Sequence, residues 1–413
     1  MPKVTPFRGI RPNPSVVERV AALPYDVYNR KEACEVTKRE PLSFLNIDRA
    51  ETQFSSDVDT YAPCVYEKAR ELLDARIADG TFIQDEKPVY YVYALTMDGR
   101  TQTGIVACSD IDDYQNNTIK KHENTRESKE QDRIRHVDAT DAHTGPIFLV
   151  YRQIDSIRQI VAKTKETTPI YNYVAEDGVR HAAWIIDNPA DVKLIEEGFA
   201  KIPATYIADG HHRCASAVKV GLKRRAENPN HTGKEGYNRF LSVLFPDDEM
   251  MIMDYNRVVK DLNGLTEDAF MERLMQLFTV ECKGQTQVHP EKKGTFGMYL
   301  SNNWYHLTAK QDILSEDAVE GLDVSVLQNS LLGPVLGIGD PRTDERIDFI
   351  GGIRGLDELE KRCKEDMTVA FAMYPTSIEE LLSVADAKRL MPPKSTWFEP
   401  KLRSGLFIHR LTD

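Results

Sequence analysis

Cysteine is scarce in this chain, and what there is lies scattered. Cys34, Cys64, Cys108, Cys214, Cys282 and Cys363 form no CxxC pair within the 413 residues. That argues against a disulfide framework and a cysteine zinc site, and it fits a reducing cytoplasm. Long apolar runs are missing as well. No stretch approaches the ~20 apolar residues that a membrane-spanning helix needs. The opening MPKVTPFRGIRPNP lacks the apolar core of a signal peptide. A cytoplasmic protein without a membrane partner is therefore expected. Positive charge is in deficit: 53 Lys and Arg stand against 65 Asp and Glu, a formal charge of −12. A general nucleic-acid coat needs the opposite balance, whereas a small basic pocket for one phosphorylated ligand remains compatible. Internal repeats, low-complexity tracts and an HExxH zinc helix are also absent.

The composition that is present, 41% hydrophobic and 29% charged, can build a sizeable core. The length predicts two or three domains, or one large α/β unit. PVYYVYAL (88–95) and TGIVACSD (103–110) flank Asp98-Gly99 and predict a β-hairpin. Val65, Ala69, Leu72, Leu73 and Ile77 have helical spacing within 59–79, with Gly80 as a stop. Strands are expected at 145–151, 182–188 and 239–245, and a helix over 190–202. A further amphipathic helix is expected over 261–278, with Thr266 as a helix cap. The pattern predicts a mixed α/β or α+β fold. An N-terminal α/β region spans 1–258, and a C-terminal α+β region spans 259–413.

Most of the chemistry sits in ADGHHRCASA, 208–217, which reads as strand, tight turn and helix. The first N–H groups of a helix lack intrahelical partners and favour an anion. Gly210 can take positive φ and let a ligand approach the backbone. Arg213 can fork onto phosphate oxygens. Asp209 can cap the helix or hold a divalent cation, and His211 and His212 can donate to anions or bind a metal. The plainer alternative is an ordinary helix capped by Asp209. A second cluster runs from 121 to 146. On a helix, His122, Arg126, Lys129 and Arg133 would share one face, with Glu123 and Glu127 beside it. Here the plainer alternative is a solvated, salt-bridged helix. Clustered histidines raise a metal site, but no single-element zinc motif supports one. The third stretch, LMPPKSTWFEPKLRSGLFI (390–408), is a stiff loop whose Lys394 could contact an anion, or else a surface turn anchored by Trp397 and Phe398.

Six stretches resemble, in order, the landmarks of a bacterial and archaeal family, domain of unknown function 1015. They are ALPYDV (22–27), KKHENT with DR (120–125, 132–133), YIADGHHR (206–213), YNRVV (255–259), DVSVL (323–327) and MPPKSTWFEPKLRSGL (391–406). The DGHHR turn in addition resembles the signature of the ParB/sulfiredoxin-like fold, some of whose members are free L-serine kinases. This resemblance implies a ParB/sulfiredoxin-like nucleotide-binding core followed by a C-terminal α+β domain. It implies ATP or ADP and Mg²⁺ as cofactors, with Asp209 as metal ligand. Asp209, His211 and an upstream glutamate, here Glu123, would act in catalysis. Gly210, His212 and Arg213 would hold the nucleotide, with Arg257 and Lys394 as further anion contacts. Sulfiredoxin activity would need a cysteine at the turn itself, and Cys214 falls just past it. The expected function is a nucleotide-dependent small-molecule kinase, with free L-serine or a similar hydroxy compound as acceptor. The alternative is a non-catalytic, ParB-like nucleotide- or phosphate-binding regulator acting near DNA. No basic helix-turn-helix accompanies that second reading.

Overall fold

Asp98 and Gly99 take φ values of 50° and 78°. This is the turn that matches strand twist in a two-residue hairpin, and it folds Tyr90–Met97 back onto Arg100–Asp110. The hairpin sits inside a nine-stranded mixed sheet of the computed structural model, which describes residues 1–412. In chain order the strands are β1 (Val4–Thr5), β2 (Tyr90–Met97), β3 (Arg100–Asp110), β4 (Ile119–Lys120), β5 (Ile147–Tyr151), β6 (Tyr171–Val174), β7 (Arg180–Ile186), β8 (Thr205–Asp209) and β9 (Arg239–Pro246). Their spatial order is β4-β8-β5-β9-β3-β2-β7-β6, with β1 beside β3. β8 runs antiparallel to β5, whereas β4 is parallel to β8 and β9 parallel to β5.

The middle strands are buried along nearly their whole length, which is why they read as continuous apolar runs rather than alternating ones. Val92, Ile105, Leu149 and Leu244 of the sheet share one core with Ile157, Ile160, Ile195 and Phe199 from the helices Asp155–Lys165 and Pro189–Phe199. A second core gathers Phe44, Leu45, Ile47 and Ile10 around Val65, Ala69 and Leu73 of helix α1 (Pro63–Ala78), and Ile408 joins it from near the C-terminus.

Met1–Met250 and Pro400–Asp413 make one compact unit, and Met251–Glu399 makes another. The tail is tied to the first unit by backbone bridges from Ile408 to Ile10 and from Ser404 to Ala22, and by pairing of His409–Arg410 with Ala142–His143. Gly405 there has φ +74°, and a Cβ on it would land on the ring of the fully buried Phe44. Gly405→Ala is therefore expected to cost ~3 kcal/mol, from left-handed strain plus overpacking. A urea titration of the variant should show that loss as a lower midpoint with unchanged slope.

The second unit has an all-antiparallel sheet of six strands: β10 (Tyr255–Val259), β11 (Phe278–Gly284), β12 (Thr295–Leu300), β13 (Asn303–Ala309), β14 (Ile347–Gly351) and β15 (Val369–Ala372). Their order is β11-β13-β12-β15-β10-β14. Trp304, Val258, Leu359 and Ala370 centre its core. The helix expected from 261 starts only at Glu267. Asn263 and Gly264 take positive φ and break the run, and the Thr266 side chain then caps the helix on Ala269 N at 3.3 Å. The architecture is mixed α+β. Among the described residues no helix is long and apolar enough to cross a membrane.

Candidate functional site

β8 carries a register shift against β5 between Ile207 and Asp209, an irregularity of the kind that re-aims side chains next to functional sites. Gly210 follows with φ +91° and opens helix α3 (His211–Glu227; α2 is Glu127–Thr140), whose N-terminus no side chain caps. Three elements meet at Asp209. Arg213 Nη2 lies 3.4 Å from Asp209 Oδ2, and Lys401 Nζ lies 4.0 Å from the same oxygen. Arg213 also donates through Nη1 to the Pro146 carbonyl at 2.8 Å. Its guanidinium packs beneath Gly210, where a Cβ would come within 3.1 Å of it. Burial pushes the Asp209 carboxyl up, but Lys401 and Arg213 outweigh it and hold it down at about 2. Asp209 is thus a carboxylate, and its charge is offset by Arg213 and Lys401.

The upstream cluster is not one helix. Helix α2 (Glu127–Thr140) begins after Arg126, so His122 and Arg126 precede it and do not share a helical face with Lys129 and Arg133. The physical reason is β4. Ile119 and Lys120 pair with Thr205 and Tyr206 of β8, which leads the following residues, extended, alongside the turn. Glu123 Oε2 comes to 3.8 Å from His211 Nδ1. The rings of His122 and His211 pack edge to face with centroids 4.6 Å apart. Both are buried, and burial lowers His122 to about 4 and His211 well below the ordinary value, so both are neutral at pH 7. Neither nitrogen of His122, nor Nε2 of His211, has a hydrogen-bond partner among the described residues. A carboxylate facing Nδ1 of His211 favours the tautomer with its proton on that nitrogen. His212 is occupied differently: its Nε2 accepts from Arg126 N at 2.8 Å, fastening α3 to the start of α2.

Beside the turn, the first unit holds a cavity of about 250 Å³. Its floor is Arg133, stacked 3.9 Å over the Tyr25 ring and paired with Asp132 at 2.8 Å. Asp132 also accepts from Tyr66 Oη at 2.9 Å. Asp48 lines the wall and accepts from Thr144 Oγ1 at 2.9 Å. Arg49 pairs with Glu51 at 2.5 Å and donates to the Tyr25 carbonyl at 3.0 Å. Lys129 and Asp26 stand exposed at the mouth. A smaller void of about 30 Å³ shares Tyr25, Asp48, Arg133 and His136 with this cavity and extends to Arg213.

Glu123, Asp209, Gly210, His211, His212 and Arg213 are thus brought together. Arg257 and Lys394 belong to the second unit. Arg257 is buried, with its guanidinium committed to the carbonyl oxygens of Tyr255 and Lys394. Lys394 has φ +59° and holds its ammonium 5.5 Å from the Tyr255 ring centre. The sequence pattern points to Lys394 in the C-terminal stretch, but Lys401, seven residues on, is the lysine that stands next to Asp209. Nothing in the sequence gives a role to Tyr25 of ALPYDV, and Asp48 and Arg49 carry no motif at all, although all three line the cavity. No three His, Cys, Asp or Glu side chains gather as a metal cluster among the described residues.

The family described as "Protein of unknown function (DUF1015)" matches residues 4–325. The chain belongs to this family. It is the family that the six landmark stretches resemble. No curated protein matches the sequence. Among solved structures, a free serine kinase in complex with AMP is similar at 16% identity and TM-score 0.36, covering 71% of this chain and 86% of that one. SbnI with a C-terminal truncation, from Staphylococcus aureus, is similar at 12% identity and TM-score 0.37, covering 71% and 82%. A conserved hypothetical protein from Pyrococcus furiosus is similar at 16% identity and TM-score 0.34, covering 73% and 93%.

Proposed function

We propose that this member of the DUF1015 family is a nucleotide-dependent small-molecule kinase working at the Asp209–Arg213 turn. The observation that carries the reading is Glu123, which reaches His211 of the turn at 3.8 Å although it lies far upstream in the chain. Phosphoryl transfer asks a protein chiefly to hold phosphates, neutralise charge and orient a hydroxyl. Gly210 and the free N–H groups of α3 receive the phosphates of ATP or ADP. Arg213 and Lys401 supply fixed positive charge there. Mg²⁺ is commonly held by one or two carboxylates together with substrate phosphates. Asp209, ionised and half-exposed, suits that ligand role, and the ion when bound would offset charge on the phosphates. Glu123 takes the proton of the acceptor hydroxyl, and the buried His211 positions it through Nδ1. His212 keeps α2 and α3 in register.

The cavity beside the turn suits the acceptor. Its walls present Asp26, Asp48, Glu51 and Asp132 against Arg49, Lys129 and Arg133. Two of these pairs satisfy each other, which leaves both signs of charge for a ligand. A small zwitterion such as free L-serine, or a similar hydroxy compound, fits that mixture, and a nucleotide polyphosphate does not.

The direct test is incubation with Mg²⁺, ATP or ADP, and a panel of hydroxy amino acids, with detection of the phosphorylated product. Turnover of none of them removes the kinase reading; nucleotide binding without turnover would favour the regulator. Gly210→Ala is expected to weaken nucleotide binding by roughly tenfold or more, because left-handed strain of ~1–2 kcal/mol and the push on Arg213 both distort the cradle. Nucleotide titration of the folded variant checks this, and unchanged affinity would detach the turn from the nucleotide.

A further inference from the structure

Acidic side chains outnumber basic ones by twelve over the whole chain, yet one groove of the first unit reverses the balance. Arg8, Arg70, Lys234, Arg239 and Arg410 line a cavity of about 370 Å³ in which Asp141 is the single carboxylate among the described residues. Asp141 is already engaged by Arg224 and Thr412. Arg70 and Arg410 share one outside carboxylate, Asp74, at 3.3 and 3.0 Å. Arg8 donates to the Asp85 carbonyl at 3.3 Å. The side chains of Lys234 and Arg239 have no hydrogen bond or ion pair among the described residues, and Arg239 is half-buried.

Five separate segments deliver these cations: the N-terminal stretch, α1, the loop before β9, the start of β9, and the C-terminal strand. The arrangement is braced rather than loose. His409 Nε2 lies 3.0 Å from the Gly236 carbonyl oxygen, and its ring stacks on His143 with centroids 5.8 Å apart. Converging cations repel one another, and a half-buried arginine without a partner loses hydration with no ion pair in return. An anionic ligand removes both costs. The space suits one small molecule rather than a strand of nucleic acid, which needs an extended basic track.

We propose that this groove binds a compact polyanion carrying two or more phosphate groups, at a site sharing no lining residue with the Asp209–Arg213 turn. Arg239 and Lys234 are its principal contacts, because neither is spent on the protein itself. Arginine suits a phosphate through its two-pronged donor geometry.

The test is calorimetric titration of the full chain with sodium tripolyphosphate at about 0.05 M and about 0.15 M salt. A saturable site that weakens with salt is expected. Arg239→Ala combined with Lys234→Ala should weaken it by roughly tenfold or more, whereas Gly210→Ala should leave it intact. No binding at the higher salt, or equal binding by the double variant, would overturn the proposal. Loss of the site in Gly210→Ala would assign the anion to the turn and overturn it too, as would tighter binding of an oligonucleotide than of tripolyphosphate. If the double variant does not fold, the exposed Lys234→Glu alone must weaken binding. The groove is tested by tripolyphosphate and the kinase reading by turnover, so either can fail without the other.

Discussion

Replacing Glu123 by glutamine is expected to lower phosphoryl turnover by ~10²–10⁴-fold, the usual worth of a well-placed general base. Glutamine keeps the size of the side chain and its approach to His211, and removes only the ability to take a proton. Nucleotide affinity should therefore stay within about a factor of three, with the loss falling on kcat rather than KM. That split separates a base from a residue that merely shapes the turn, because a distorted turn would weaken nucleotide binding as well. Steady-state kinetics on the acceptor that turns over, alongside nucleotide titration of Glu123→Gln, gives both numbers. A variant with undiminished kcat would take the base role away from Glu123.

The second large effect is on stability. His122, His136, His143, His181 and His211 are all buried, and burial lowers each below the ordinary histidine value, to about 4 for His122 and well below for His143, His181 and His211. His181 illustrates why charge is excluded: Arg403 Nε donates to its Nε2 at 3.1 Å. In the unfolded chain these groups protonate near pH 6.5. The unfolded state then binds more protons than the folded one, so stability is fully present above pH 6.5 and falls as the pH drops toward 4. A histidine that stays neutral in the folded state contributes ~1.4 kcal/mol per pH unit in that window. His122, His143, His181 and His211 together rival the ~5–15 kcal/mol that holds a domain folded. All five lie in the first unit, and the second contains only His289 and His306. Thermal melts from pH 7.5 down to 5 should show the first unit losing stability steeply, whereas the second unit should gain it, because burial raises its Asp323 carboxyl to about 7. A melting profile that is flat across this range would contradict the prediction.

What could be read from the sequence was local. The strand, glycine turn and helix over 205–227 were legible because Tyr206–Ile207, Gly210 and the small residues after Arg213 signal their own conformations. The placement of Glu123 was not derivable from spacing. It depends on β4 pairing with β8, a contact between residues far apart in the chain. The same contact defeats the helical reading of His122 and Arg126, because polar residues at i, i+3 and i+4 look alike in a helix and in an extended loop. In the C-terminal stretch, Pro392-Pro393 drew attention to Lys394, whereas Lys401 reaches Asp209 only because the chain re-enters the first unit. Asp48 and Arg49 acquire their place from the loop 25–28 folding over them, and no local pattern announces that.

The route of the chain also sets an order of events during synthesis. Residues 251–399 are continuous, so that unit has all of its parts once residue 399 is made. The first unit does not. Without residues 400–412 it lacks Ile408 in its core, the strand at His409–Arg410, and the lysine beside Asp209. Glu123 and the glycine turn are translated early, yet Lys401 joins Asp209 only after the whole second unit has been made.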